Sequence, residues 1–541
     1  MAYGIKYNKD LLLADEDEKK PLHLKRVGDE FYSLYGQSHQ NSDLDGAIAA
    51  YEAAARIMPD YHQSQAELLT HLGLSLIQRF QYFGDLPDID NAIFALIGSL
   101  MLSSDDHADK PSRLGNLGTS FSARFEHSGD LADIDKAISA QEQAVNLTID
   151  GHDDKPGLLG NLGNSFLSRF HYSGDLVDSD KAISAHERAV NLTPESPAAL
   201  HNLGNSFLTR SEHFGNLLDS DKAISAHEKA VDLIPDDHIN KPNCLNSLGN
   251  SFMSRFVHSS GDIIDIDQAI SAHERAVKFT PDSHADKSLR LNNLGNSLLA
   301  RFKRSGDSAD SDKAISTHKQ AVNLTPDGHA DKPGCLSNLG NSFLTCFERT
   351  GDPIDSDKAI SAHERAVNLT PDGHASKPAR LNNLGNSFAR RFERSGDLVD
   401  GDDAISAHSR AVDLTPDGHA DKPGRLSNLG SSFLARFARS GDPLDRSKAI
   451  SYHRSAATSF GGAASTRFAA ALKWARLAST VDNSSSLQGY TVALDLVTQV
   501  AWLGHSITAR HRELSSIGAM ASEAAAAASA AEQYVTALEW L

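Results

Sequence analysis

Residues 336–378 read LSNLGNSFLTCFERTGDPIDSDKAISAHERAVNLTPDGHASKP, and variants of this stretch fill most of the 541-residue chain. The glycine of Leu339-Gly340-Asn341 marks each copy. It recurs at Gly28, Gly73, Gly118, Gly163, Gly204, Gly249, Gly295, Gly340, Gly385 and Gly430, in steps of 45, 45, 45, 41, 45, 46, 45, 45 and 45 residues. The short step follows from Thr193-Pro194-Glu195-Ser196-Pro197, where the usual loop has lost residues. The long step follows from the extra serine in Ser259-Ser260-Gly261. Both changes fall in loops, where insertions and deletions cost least. Ten units are countable. A division into about three or four globular domains by length does not apply, because a repeat array grows without a single core.

Each unit reads as two helices. In Pro156 to Pro194, Pro156 suits a first helical turn, where its missing N–H is not needed. Leu159, Leu162, Phe166 and Phe170 then recur at intervals of three and four, which puts them on one stripe. Gly174 ends this helix, and Asp178 or Asp180 is the expected N-cap of the next. Ala182, Ile183, His186, Ala189 and Val190 form the second stripe, and Pro194 stops it. Neither helix is long enough to stand alone. Ordering a backbone costs about 1–2 kcal/mol per residue, so the pair needs stacked neighbours. The small Gly163, Ala182 and Ala189 mark close helix approach, and Leu162, Phe166 and Phe170 fill the space between.

Leu162-Gly163, Phe166, Ala182, Ala189 and Pro194, with the same places in the other units, resemble the tetratricopeptide repeat. The resemblance covers about residues 25–458. It implies an all-α solenoid of helix pairs wound as a right-handed superhelix, with a concave groove that binds a protein or peptide. The usual family unit has about 34 residues, so the loops between helices are longer here. Residues 1–24 form a polar N-terminal segment carrying Asp15, Glu16, Asp17 and Glu18, and residues 459–541 form a degenerate helical region. Within it Ala463–Ala478, Leu487–Leu503 and Ile507–Ala531 are expected helices, and Leu538, Trp540 and Leu541 lack the polar cover that ends an array. This predicts an array cut short. Repeats of the N-L-G-N-S-F-L-x-R-F-x-x-S-G-D type, followed by helices similar to Ala521–Leu541, also resemble the repeat half of fungal and bacterial proteins that carry a caspase-like CHAT protease domain. No catalytic residue carries over, since the cysteines Cys244, Cys335 and Cys346 lie inside repeat units.

The net charge of −19 argues against nucleic acid and anionic membranes as partners, since both need clustered Lys and Arg. Three cysteines without paired spacing indicate neither a disulfide framework nor a zinc site. No apolar leader and no run of about 18 apolar residues appears, which points to a cytoplasmic protein. Asn-Leu-Thr at Asn146, Asn191, Asn323 and Asn368 reads as a repeated helix C-terminus rather than as glycosylation sites.

Four rows of residues offer sites. One set of asparagines is Asn116, Asn161, Asn202, Asn293, Asn338, Asn383 and Asn428; the other is Asn164, Asn205, Asn250, Asn296, Asn341 and Asn386. Three apart within a unit, they share a face, and the resemblance places that face in the groove. An amide offers donor and acceptor and could hold a peptide backbone without reading its side chains; the alternative is that the asparagines bond one another or the neighbouring helix. His186, His227, His273, His318, His363 and His408 lie in the second stripe. They look like a metal or pH device, but ring-sized core filling accounts for them. Asp327-x-His329-x-Asp331, with copies at His284, His374 and His419, and the Gly174–Asp180 loop have a faint cation-site flavour. Turn and cap chemistry explains both, and no closing glutamate is present. Arg124, Arg169, Arg255, Arg301, Arg391 and Arg436 are either anion clamps or partners of the neighbouring aspartates. No phosphate loop, metal cluster or nucleophile–base pair appears, so the expected protein is a non-catalytic, cofactor-free protein-binding scaffold. The alternatives are the sensor half of a CHAT-type protease, or a structural array that self-associates through its C-terminal helix.

Overall fold

The computed structural model describes residues 19–38, 40–59, 62, 64–104, 107–259, 261–284, 286–500 and 507–540, without the side chains of 507–516. The acidic run Asp15–Glu18, the extra Ser260, residues 501–503 of the expected helix ending at Leu503, and Leu541 lie outside the described residues. All the described elements are helices, 24 in number. They pair from Lys20–Ser38 with Asn41–Ile57 through Lys422–Ser440 with Pro443–Ala457, one pair per marker glycine. An eleventh pair, Ala464–Ala478 with Asn483–Val500, follows, then Ile507–Ala530 and Tyr534–Glu539. The second helix of the eleventh pair begins earlier than the apolar pattern suggests, because the Asp482 carboxylate accepts the Ser485 N–H at 3.1 Å. Among the described residues no helix is long and apolar enough to cross a membrane.

Contacts divide the chain into two compact units. The first comprises residues 1–168, 184–193 and 328–330, and the second comprises 169–183, 194–327 and 331–541. In the second unit the pair Lys332–Thr350 and Pro353–Asn368 shows how each unit is built. Gly351 ends the first helix with φ 76°, and its N–H reaches the Phe347 carbonyl at 2.8 Å. This left-handed position suits glycine because it has no Cβ. Asp352 follows as N-cap, its carboxylate accepting the Ile354 N–H at 3.0 Å.

The cap is thus the aspartate directly after the glycine, and this corrects the expected assignment to Asp178 or Asp180. In that pair Asp175 accepts the Val177 N–H at 3.0 Å. Asp178 is buried and receives Arg169 through two nitrogens at 2.6 and 2.8 Å, and Asp180 receives Arg210 of the next pair at 2.8 Å. The arginine row is therefore a set of ionic clips. Arg301 binds Asp310 of its own pair at 2.7 and 2.9 Å and Asp267 of the preceding pair at 2.7 Å. Arg255 and Arg391 repeat this with Asp265 and Asp221, and with Asp400 and Asp357. Planar guanidinium matches carboxylate in this two-nitrogen geometry.

Lysine closes the other end of the unit. Lys332, first residue of its helix, donates to the Val322 and Thr325 carbonyls at 2.9 and 2.8 Å, at the C-terminus of the preceding helix. Lys241, Lys287, Lys377 and Lys422 make the same pair of bonds. An ammonium with three donors satisfies carbonyls that have no partner within their own helix and meets the negative end of the helix dipole. The threonines of the Asn-Leu-Thr triplets serve the same helix end. Thr325 and Thr370 are buried and donate to the Ala321 and Ala366 carbonyls.

The histidine row is buried, and its position explains the marker glycine. A Cβ on Gly340 would lie 2.5 Å from Nε2 of His363. His363 Nε2–H donates to the Ser337 carbonyl at 3.1 Å, and its Nδ1 accepts from the Ser387 hydroxyl of the next pair at 2.8 Å. The carbonyl can only accept, so Nε2 carries the proton and the ring is neutral. His318 is bound in the same way by Asn292 and Ser342, and His273 by Asn246 and Ser297. Burial pushes His273, His318, His363 and His408 down to about 4, and His227 to about 3.

This interior makes stability depend on pH. Unfolded histidine titrates at about 6.5, so the stabilisation from neutral burial is complete above that value. It is lost as pH falls from about 6.5 towards about 4, by about 1.4 kcal/mol per histidine for each pH unit. Thermal melts followed by circular dichroism should show a lower midpoint at pH 5.5 than at pH 7.5; a flat profile contradicts neutral burial. A second prediction concerns Cys346, which occupies the arginine position of its pair and leaves Asp355 and Asp312 without the clip that Asp310 and Asp267 receive from Arg301. Cys346→Arg should raise the melting midpoint, with a gain of about 1–3 kcal/mol for a charge-assisted pair.

Candidate functional site

The two asparagine rows occupy different places. In the first unit Asn161 and Asn164 are exposed on the helix Lys155–Ser173. In the second unit Asn202, Asn205, Asn250, Asn293, Asn296, Asn338, Asn341, Asn383, Asn386 and Asn428 are all half-buried. Members of the row two residues before the glycine bridge neighbouring first helices. Asn293 donates to the Asn246 amide oxygen at 2.9 Å, Asn383 to the Ser337 hydroxyl at 3.0 Å, and Asn428 to the Asn382 amide oxygen at 2.9 Å.

The row directly after the glycine behaves differently. The amide oxygens of Asn205, Asn250 and Asn386 each lie 3.2 Å from Nε2 of His227, His273 and His408. Since Nε2 carries the proton, the oxygen is the group it meets, and the amide NH2 is turned to the open side. The row thus presents donors, not the donor-and-acceptor pair that a free amide offers.

Asn296, Asn341, Asn386 and Asn428 line a groove of about 810 Å³ in the second unit. Its wall includes Met253, Phe256, Val257, Leu299 and Leu344, and the charged Lys303, Arg304, Glu348 and Arg390. Reading the rows of asparagine and histidine does not find these wall residues, although a signal for them exists. Asn296, Leu299, Ala300 and Lys303 stand at i, i+3, i+4 and i+7, as do Asn341, Leu344, Thr345 and Glu348, so each set shares one helix face. Within this wall Arg390 pairs with Glu348 at 2.9 Å and with Glu393 at 2.7 Å.

The remaining candidates resolve into structural partners. The loop histidines cap the next helix: Nδ1 of His284, His374 and His419 accepts the N–H two residues on, from Asp286, Ser376 and Asp421, at 3.1 to 3.2 Å. Among the described residues no three His, Cys, Asp or Glu side chains are grouped to hold a metal. Cys244, Cys335 and Cys346 are buried thiols without disulfides, and burial pushes Cys244 up to about 11.

No protein-family profile matches the sequence, and no curated protein matches it. Solved structures do. Human IFIT1, as a dimer with m7Gppp-AAAA, aligns with a TM-score of 0.42 at 12% identity over 88% of this chain and 89% of that one. Yeast Tom70 aligns with a TM-score of 0.39 at 14% identity over 93% of this chain and 96% of its own. A thermophilic TPR protein of Thermus thermophilus aligns with a TM-score of 0.30 at 20% identity over 40% of this chain and 92% of its own. These values carry no functional assignment. The helices themselves define the chain as an all-α, tetratricopeptide-like solenoid of helix pairs.

Proposed function

We propose that this protein is a non-catalytic scaffold that holds an extended peptide segment of a protein partner in the groove of the second unit. The observation that carries this reading is the row of asparagine amides along the groove. Where their oxygens are engaged by histidine, as at Asn386, the NH2 groups are left to donate. An extended backbone presents carbonyls that such donors meet without regard to sequence. Each hydrogen bond nets about 1 kcal/mol, so the amides supply general grip and the varied side chains of the wall supply the rest.

A peptide-display library selected on the intact chain should yield extended binders. Changing Asn296, Asn341 and Asn386 together to alanine should weaken a selected peptide about tenfold to a hundredfold, as isothermal titration would read it, with the melting midpoint almost unchanged. A triple variant that melts early shows instead that the row holds the array together.

Two other readings are separable from this one. Service as the sensor half of a CHAT-type protease is what the second family resemblance implies, and reading the gene past the Leu541 codon tests it. Self-association is favoured by the exposed Tyr534, Val535 and Leu538 of the C-terminal helix, and a strictly monomeric mass in solution overturns it.

A further inference from the structure

We propose that the segment held in this groove is acidic: it sets a carboxylate against Lys303 and Arg304, with an apolar side chain beside it on Met253, Val257 and Leu299. This names the partner's chemistry within the peptide-holding reading above and rests on it. The case begins with charge. The chain carries 71 acidic and 52 basic residues, so a basic group here has carboxylates in excess to pair with. The arginines of the clip row use them, and so does Arg390 in the groove wall, which is held by Glu348 and Glu393. Lys303 and Arg304 are the exception. Both are exposed and line the groove, and among the described residues neither has an ion pair or a hydrogen bond.

Their place in the helix explains part of this and not all of it. Both stand in the last turn of Lys287–Ser305, where cations meet the helix dipole favourably. The arginines that match Arg304 in the next two pairs are laid on their neighbours: Arg349 lies over the Phe302 ring at 5.6 Å and Arg394 over Phe347 at 5.3 Å. Lys303 has no such seat. The residues that match it in the adjacent pairs are Val257 on one side and Glu348 on the other. Glu348 is neutralised by Arg390. The wall therefore runs from an apolar stretch, through an uncompensated cation pair, to a neutralised one. A peptide with an apolar residue followed by an acidic one complements that order. The attraction is screened by salt while the groove is open and strengthens as the peptide displaces water.

Fluorescence anisotropy on the intact chain tests this with labelled 12-residue peptides of alternating leucine and glutamate, and with counterparts in which glutamine or lysine replaces glutamate. The glutamate peptide should bind at least tenfold tighter than the glutamine peptide, and the advantage should shrink as salt rises. K303E/R304E should abolish the advantage, and K303Q/R304Q, which keeps side-chain length close to native, should reduce it. Melting curves of both variants confirm folding.

Equal binding of the glutamate and glutamine peptides, both weakened by the triple asparagine variant, overturns the acidic assignment and leaves the groove reading standing. An acidic preference that survives K303E/R304E places the charge recognition elsewhere and also overturns it. Binding by none of the peptides, or binding indifferent to every groove variant, removes the peptide-holding reading and this inference with it. Tighter binding of a single-stranded oligonucleotide of equal charge gives the site to nucleic acid instead.

Discussion

The array depends on a single close contact, the seating of a histidine ring on a glycine. A Cβ at Gly295, Gly340 or Gly385 would stand 2.4 to 2.5 Å from the ring opposite, far inside any van der Waals contact. The absent side chain lets the two helices of a pair approach, and the ring then spans from its own pair to the next through a serine hydroxyl. Three consecutive residues divide this work. Gly340 receives His363 of its own pair, Ser342 binds His318 of the preceding pair at 2.7 Å, and Asn341 between them faces the groove. A helix turns about 100° per residue, so neighbours in sequence point to different neighbours in space. The site is thus adjacent in sequence to the contacts that hold the stack.

That interior is unusually polar for a solenoid. Between successive pairs lie a neutral histidine, a guanidinium shared by two carboxylates, and an ammonium on two carbonyls. Each is satisfied by geometry that exists only when both pairs are in place. A buried polar group that loses its partner costs more than its bond contributes, so each pair is committed to its neighbours. Apolar burial by leucine, phenylalanine and alanine supplies the non-directional attraction, and the polar clips fix the relative setting of the helices. The −19 net charge is in good part a count of these clips, since many of the aspartates are internal partners. It describes construction more than it describes a partner.

The period, the pairing of helices, the breakers and the core stripes were all legible in the sequence, because each depends on spacing alone. Placing the histidines in the stripe was enough to read them as core. Asp175 and Asp178 show where spacing stops informing. Both are plausible caps by residue type, and only the third dimension reveals that Arg169 lies opposite one of them. Lys332 was legible as a helix start next to proline, but its partners lie ten and seven residues earlier on another helix. The two asparagine rows were inseparable in sequence for the same reason. Both are amides on one face, and what distinguishes them is a serine or asparagine on one neighbour and a histidine on the other.

Comparison of the copies with one another separates framework from site by a physical criterion. Gly, Ser and His at the close contact recur from His227 through His408, because each is held by steric or hydrogen-bond constraints that a change would break. The positions four and eight residues after the glycine carry no such constraint, and they differ: Met253, Leu299, Leu344 and Ala389 at one, Val257, Lys303, Glu348 and Glu393 at the other. These residues stand on the groove face, three and seven residues after the amide row. Duplication copied both classes alike, so divergence accumulated where the fold tolerates it. A constant row of amide donors beside a varied row of side chains is the arrangement that can grip any extended chain and still distinguish among chains. The first task needs uniformity along the groove, and the second needs the unit-to-unit differences that the stack leaves free.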